Sequence, residues 1–291
     1  MQKRWENKFK MEKSYIITVK NLSAGYSSRE SNNIVFEKAN FSIAKGEFVG
    51  VLGPNGAGKT TLFKLLLGIL KPISGEISIL GEKCKSSNCQ TNCKIGYVPQ
   101  RHTFNSESMI EALEIVRLGI NGRKMGFSLP ATSRKEKEEA LEMLKIVGAK
   151  ELAHRPLSAL SGGELQRIFL AQALVGNPDI LFLDEPLASL DIRRENEFVK
   201  LIKKTAEQRN ITVLLIAHNI NPLLPVLNKV IYVANARVLV GDASEVFTSK
   251  FLTKLYNSPV EVLRDSYGRI AIIGAEEGGH HHDHDHDHAH E

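Results

Sequence analysis

The chain has 291 residues, enough for one large domain or two modest ones around a substantial buried core. Its apolar fraction of 42% and charged fraction of 24% are those of an ordinary soluble fold, and no window reaches the ~18 consecutive apolar residues of a membrane-spanning helix. The net charge of +5 comes from scattered Lys and Arg rather than a dense patch interleaved with aromatics, which argues against nucleic acid as a partner.

The first segment, MQKRWENKFKMEKS, is charged and lacks the apolar core of a secretory signal, so residues 1–13 are expected to form an unstructured leader, with Met11 as an alternative start. YIITV (15–19) and IVFEKANFSI (34–43) alternate as half-buried, antiparallel strands do. EFVGVLG (47–53) is a continuous apolar strand that runs into GPNGAGKT (53–60). That loop matches GxxxxGK[ST] in the required setting, after a strand and before the helix predicted over TTLFKLLLGIL (60–70). Gly53, Pro54, Asn55, Gly56, Ala57 and Gly58 are expected to cradle phosphates with backbone N–H groups. Lys59 then reaches the β- and γ-phosphates, Thr60 binds Mg²⁺, and Thr61 adds a hydroxyl near the α-phosphate. SGEISILGE (74–82) returns to strand and turn. Cys84, Cys89 and Cys93 follow, an odd count without a CxxC pair, and read as an exposed loop rather than a disulfide or metal site.

From about Gln100 to Leu160 the texture is helical and polar. Ser133 and Glu136 form a capping-box pattern ahead of Ala140, Leu141, Leu144 and Val147, as in a helical insertion between two halves of an α/β core. LSGGELQR (160–167) carries a second capping box, Ser161 with Glu164, at the start of a helix running to Val175. Gly162 and Gly163 leave that helix start bare, which makes it a second anion cradle. The strand ILFLD (180–184) ends in Asp184 and Glu185, acidic residues that are costly at a buried strand end unless they serve a cation or a substrate. Asp184 is expected to hold Mg²⁺ through water and Glu185 to polarise an attacking water as general base. A helix over about 192–208, the strand ITVLLIAH (211–218) and strands near 229–233 and 236–240 complete a largely parallel sheet with ligands at its carboxyl ends. Beyond Gly241 come a short helical stretch and two short strands in PVEVLRDSYGRIAIIG (259–274). No internal repeat occurs, so a single nucleotide-binding unit is expected.

Together these motifs resemble the ATP-binding cassette (ABC) transporter ATPase family over about residues 15–240. The resemblance implies an α/β fold: a P-loop NTPase core with a mixed, largely parallel sheet, an antiparallel β subdomain and a helical insertion at about 100–160. It divides the chain into an ATPase domain at 14–240, a C-terminal extension at 241–276 and a tail at 277–291. It implies that Tyr26 stacks on adenine, that Gln100 senses Mg²⁺ and the attacking water, that Asp191 crosses a dimer interface and that His218 contacts the γ-phosphate. It implies too that Ser161, Gly162, Gly163 and Glu164 close over ATP bound to a second copy. The expected assembly is a homodimer on the cytoplasmic face of the membrane, docked on separate permease subunits through the region after Gln100 and served by an extracellular or periplasmic metal-binding protein.

The stretches AHNINPLLPVLNKVIYVANARV and YNSPVEVLRDSYGRIAIIG are similar to the zinc/manganese/iron importer branch, which leaves zinc, manganese, iron and iron chelate open as cargo. Two other readings fit less well. A cassette acting on ribosomes or DNA ordinarily carries tandem cassettes or a long coiled-coil insertion, and a metal-buffering protein has no need of Glu185 and His218. Seven of the 10 histidines lie in the tail. His280, His281, His282, His284, His286, His288 and His290 interleave with Asp283, Asp285 and Asp287, unlike a plain purification tag. Neutral imidazoles of this kind suit Zn²⁺ and related ions.

Overall fold

The computed structural model describes residues 14–27, 32–83, 94–100, 109–121 and 130–274. The leader, the three cysteines and the histidine-rich tail lie outside the described residues.

The chain opens with β1 (Tyr15–Ser27) and β2 (Asn32–Ala44), followed by β3 (Phe48–Leu52), α1 (Lys59–Leu66), β4 (Ser74–Ile79) and β5 (Glu82–Lys83). Next come β6 (Ile95–Val98), α2 (Ala112–Asn121), α3 (Pro130–Ile146), α4 (Gly162–Val175), β7 (Ile180–Asp184) and α5 (Ile192–Arg209). The remainder is β8 (Thr212–Ile216), β9 (Lys229–Ala234), β10 (Arg237–Gly241), α6 (Ala243–Val246), α7 (Ser249–Tyr256) and the hairpin β11 (Glu261–Arg264) and β12 (Ile270–Ile273). Six strands form the central sheet in the order β10-β9-β3-β8-β7-β6, parallel except for the antiparallel edge strand β10. A separate antiparallel sheet has the order β2-β1-β4-β5.

The continuous apolar runs explain the central strands. Every residue of β3, β7 and β8 is buried, because helices or the second sheet cover both faces. On one face α1 is sandwiched between the two sheets. Leu62, Phe63, Leu65 and Leu66 pack among Ile17, Val19, Phe36 and Ile77 from one side and Val49, Val51, Phe182 and Ile216 from the other. Phe63 meets Phe182 edge-on at 5.1 Å. On the other face α2 to α5 build a second core around Val116, Leu144, Phe169 and Phe198.

Several elements differ from the sequence expectation. The helix over 60–70 is shorter, ending at Leu66 before Gly68 turns the backbone to φ 71°. The edge strand β6 is absent from the sequence reading because its four residues carry no alternation strong enough to separate them from the loop before it. The Ser133–Glu136 capping box is not formed. The helix begins at Pro130, a residue suited to a first helical turn, which leaves Ser133 inside it. Ser133 instead accepts a hydrogen bond from Arg117 Nη2 at 3.0 Å, and the buried Glu136 lies 3.9 Å from the same guanidinium. A tertiary partner on α2 has claimed the residues that local pattern assigned to a cap.

Lys229, at the start of β9, joins the two sheets. Its ammonium donates to the Ser42 carbonyl at 2.9 Å and to Glu47 Oε2 at 3.0 Å, and the same oxygen accepts from Ala44 N–H. Both side chains are largely withdrawn from water. Removing one partner strands the other, so Lys229→Met is expected to lower stability by about 2 kcal/mol, read as a fall in the urea midpoint at unchanged slope.

Candidate functional site

The carboxyl ends of the parallel strands converge on one edge of the sheet, and the loops that leave them build the site. From β3 the chain enters the loop Gly53–Gly58, whose shape admits only glycine at its two tightest points. Gly53 has φ 140° and a Cβ there would lie 2.0 Å from the Val233 carbonyl; Gly58 has φ 104° and a Cβ would meet Val35 at 2.2 Å. Lys59 opens α1 with its ammonium folded back onto the carbonyls of Gly53 (2.8 Å) and Pro54 (2.9 Å). Burial pulls its pKa down, and the negative charges of Glu185 and Asp184 oppose that pull. Next along the helix, Thr61 Oγ1 is 3.1 Å from the hydroxyl of Tyr26, which fixes that half-exposed ring beside the loop.

Asp184 ends β7 almost fully buried, and its Oδ1 has no hydrogen-bond partner. Burial, reinforced by Glu185, pushes its pKa up to about 6, against the pull of Lys64, Lys59 and a hydrogen bond with the Thr60 side chain. Native structures seldom leave a buried carboxylate oxygen orphaned. With the Thr60 hydroxyl beside it, this oxygen forms a hard donor set that fits Mg²⁺, which takes one or two protein oxygens and completes its shell with water and phosphate. No group of three or more His, Cys, Asp or Glu is placed to hold a metal among the described residues.

Glu185 follows in the left-handed region, φ 52°, at a cost of roughly 1–2 kcal/mol for a residue with a Cβ. Its N–H donates to the Ile216 carbonyl at 3.1 Å, so β8 holds the turn in place. Its carboxylate is gripped from two sides. Gln100 Nε2 donates to Oε2 at 2.6 Å, and His218 Nε2 lies 2.8 Å from Oε1. Gln100 leaves β6 and His218 leaves β8, so three strands supply these three side chains.

The second cradle is built separately. Ser161 caps α4: Glu164 N–H donates to Ser161 Oγ at 3.4 Å and Ser161 N–H donates to Glu164 Oε2 at 2.7 Å, the reciprocal pair expected from the sequence. Ser161, Gly163 and Glu164 line a cavity of about 220 Å³ with Leu190, Arg194 and Phe198, and no residue of the Gly53–Thr60 loop borders it. A Cβ on Gly162 would lie 3.3 Å from Ser189 Oγ, so the cradle sits against the segment that ends in Asp191. Asp191 itself caps α5, accepting from Arg194 N–H at 2.9 Å. The structure therefore gathers Tyr26, Lys59, Thr60, Thr61, Gln100, Asp184, Glu185 and His218 in one place and Ser161–Glu164 with Asp191 in another. Sequence reasoning missed Arg155, whose Nη1 lies 3.4 Å from Glu164 Oε1. No motif marks it, because a 3-10 turn at Lys150–Leu152 brings it there.

The family model described as ABC transporter matches residues 36–188. The chain belongs to the ABC transporter family. It is 36% identical over 231 residues to the zinc uptake system ATP-binding protein ZurA of Listeria monocytogenes, covering 79% of this chain and 87% of that protein. It is 35% identical over 231 residues to the manganese transport system ATP-binding protein MntB of Bacillus subtilis, covering 79% and 90%. Among solved structures it is similar to an ATP-binding cassette determined as a dimer in a post-hydrolysis state with ADP and Pi bound, with 30% identity, a TM-score of 0.68, and coverage of 78% of this chain and 98% of that one.

The raised pKa of Asp184 in this ABC protein has a consequence for stability. A carboxyl whose pKa rises on folding weakens the fold wherever it is ionised: the cost is absent below its unfolded value of about 4 and complete above about 6. Asp184→Asn is therefore expected to stabilise the nucleotide-free chain by about 2 kcal/mol at pH 8, the gain shrinking toward pH 5. Denaturation at the two pH values checks both the sign and the window.

Proposed function

We propose that the chain is the ATP-binding and ATP-hydrolysing subunit of an importer for a divalent metal ion, zinc or manganese. It works as a homodimer on the cytoplasmic face of the membrane, with separate permease subunits and an extracellular or periplasmic metal-binding protein. Residues 14–240 would form the ATPase domain, with the helical insertion at about 100–160. The observation that carries this reading is the Glu185 carboxylate, held between Gln100 and His218 beside a complete phosphate loop.

Each side chain has a task in that reading. Gly53–Gly58 offer N–H groups to the phosphates, and Lys59 exchanges its two carbonyl partners for β- and γ-phosphate oxygens. Tyr26 offers an exposed ring face to the adenine, and Thr61 a hydroxyl near the α-phosphate. Thr60, Asp184 and Gln100 would hold Mg²⁺, which neutralises phosphate charge when bound. Glu185 takes the proton of the attacking water, and Gln100 and His218 orient its two oxygens for that step. His218 would also contact the γ-phosphate. Ser161, Gly162, Gly163 and Glu164 cannot serve the loop of their own chain from their separate cavity, so they are assigned to ATP on a second copy across an interface that includes Asp191. Exposed Met109, Ile110 and Leu118, on and just before α2, suit the permease contact. The zinc and manganese assignments rest on the relatives named above.

Glu185→Gln keeps hydrogen-bonding capacity but no longer accepts a proton. It is expected to bind ATP, accumulate as a dimer on size exclusion, and turn over at least about a hundredfold more slowly. Wild-type turnover in that variant would remove Glu185 from the role of base.

The tail histidines 280, 281, 282, 284, 286, 288 and 290 are proposed to bind Zn²⁺ weakly and without strong selectivity, the affinity falling as imidazoles protonate near pH 6.5, about their ordinary pKa. Calorimetric titration of Zn²⁺ into the full chain and into a chain truncated after Gly279 tests this. The truncated chain should lose most of the heat, and identical isotherms would show that the tail takes no part.

A further inference from the structure

The segment that carries His218 is held by two asparagine side chains, Asn219 and Asn221, that the reading above does not use. Asn219 borders a small cavity together with Glu185, His218 and Glu195, the last in the first turn of α5, and its Oδ1 accepts from Asn221 N–H at 3.1 Å. Asn221 then closes a two-point clamp on β12. Its Oδ1 accepts from Ile270 N–H at 2.7 Å and its Nδ2 donates to the Ile270 carbonyl at 3.1 Å. A side-chain amide that satisfies both main-chain groups of one residue acts as a strand partner, so the hairpin is docked to the His218 segment as a neighbouring strand would be. Ile270 is buried, so the clamp is sheltered from competing water.

The same hairpin reaches the nucleotide site by packing. A cavity of about 220 Å³ is bordered on one side by Gly53, Pro54, Asn55 and His218 and on the other by Tyr256 of α7 and Ile272 of β12. The hairpin thus forms part of the wall behind the side chain that holds Glu185. On the side of Asn219 away from the hairpin, Glu195 lies one turn after Asp191, and its Oε2 is buried without a partner. That strand-like clamp, the shared cavity and the Glu195 contact form one contiguous path from the start of α5 through Asn219 and Asn221 to the C-terminal hairpin.

We propose that Asn219 and Asn221 are positioning residues for His218, and that the C-terminal hairpin controls turnover through them. The inference rests on the ATPase reading of His218. It predicts a loss in the catalytic step and not in nucleotide binding, because neither asparagine lines the phosphate loop.

The test is steady-state ATP hydrolysis by the full-length chain. Asn221→Ala should lower kcat about tenfold while KM for ATP stays within twofold, and Asn219→Ala should act in the same direction. Thr253→Ala serves as the comparison for simple loosening. It removes the pair of bonds that tie Thr253 to Val260 at the base of the same hairpin, without touching the His218 segment, and should leave kcat unchanged even if the melting temperature falls. In a His218→Ala background the Asn221 change should have no further effect on the residual rate, since residues that act through one another are not additive. An unchanged kcat in Asn221→Ala overturns the proposal, as does an equal fall in Thr253→Ala. A wild-type chain without ATPase activity would instead remove the ATPase reading itself.

Discussion

Parallel pairing of β6, β7, β8 and β3 is the constraint on which the rest depends. The register sets Val98 against Leu183, Asp184 against Ile216, and Ile216 against Val51. Because these strands point the same way, their last residues fall on one edge, and the loops leaving them deliver Gln100, Glu185, His218 and the phosphate loop to one point. A slip of one residue would turn each buried side chain to the opposite face, so the apolar runs that fill both cores also fix where these residues meet. Burial of α1 between the two sheets adds the remaining element, because it holds Lys59, Thr60 and Thr61 at the end of β3.

The site that results holds several groups in costly arrangements. An ammonium is buried against carbonyls, a carboxylate oxygen has no partner, and a glutamate sits in the left-handed region. Groups of this kind weaken a fold on their own account, and they persist because the sheet around them overdetermines their positions. In the proposed function, phosphate oxygens would satisfy the ammonium and a cation the carboxylate. Preorganised charge is the form of stabilisation that phosphoryl chemistry uses most.

The two cradles are built apart within one chain. Ser161 and Glu164 satisfy each other through the capping box, so α4 starts stably with its glycines uncovered. Packing of Gly162 against Ser189 then ties the cradle to the segment that leads into α5. Glu195, in the first turn of α5, lines a small cavity with Asn219 and His218, so the segment beside the cradle and the His218 segment meet at one helix start.

Much of this was legible in the sequence, and for a physical reason. GPNGAGKT, LSGGELQR and ILFLDEP are local: a glycine that must hold φ above zero, a cap three residues from its partner, and acids that end a buried strand all declare themselves within a few positions. The tertiary structure decided what depends on distant partners. Ser133 and Glu136 have the spacing of a cap, yet Arg117 on another helix took them. Tyr26 stands near the end of β1, and only Thr61, 35 positions away, fixes it beside the phosphate loop. The grip on Glu185 and the Asn221 clamp on Ile270 each join residues far apart in the chain, and burial in the folded chain is what leaves the Asp184 oxygen without a partner. Short-range stereochemistry wrote the motifs into the sequence, whereas burial and long-range hydrogen bonding, which only the folded chain possesses, decided which of them meet.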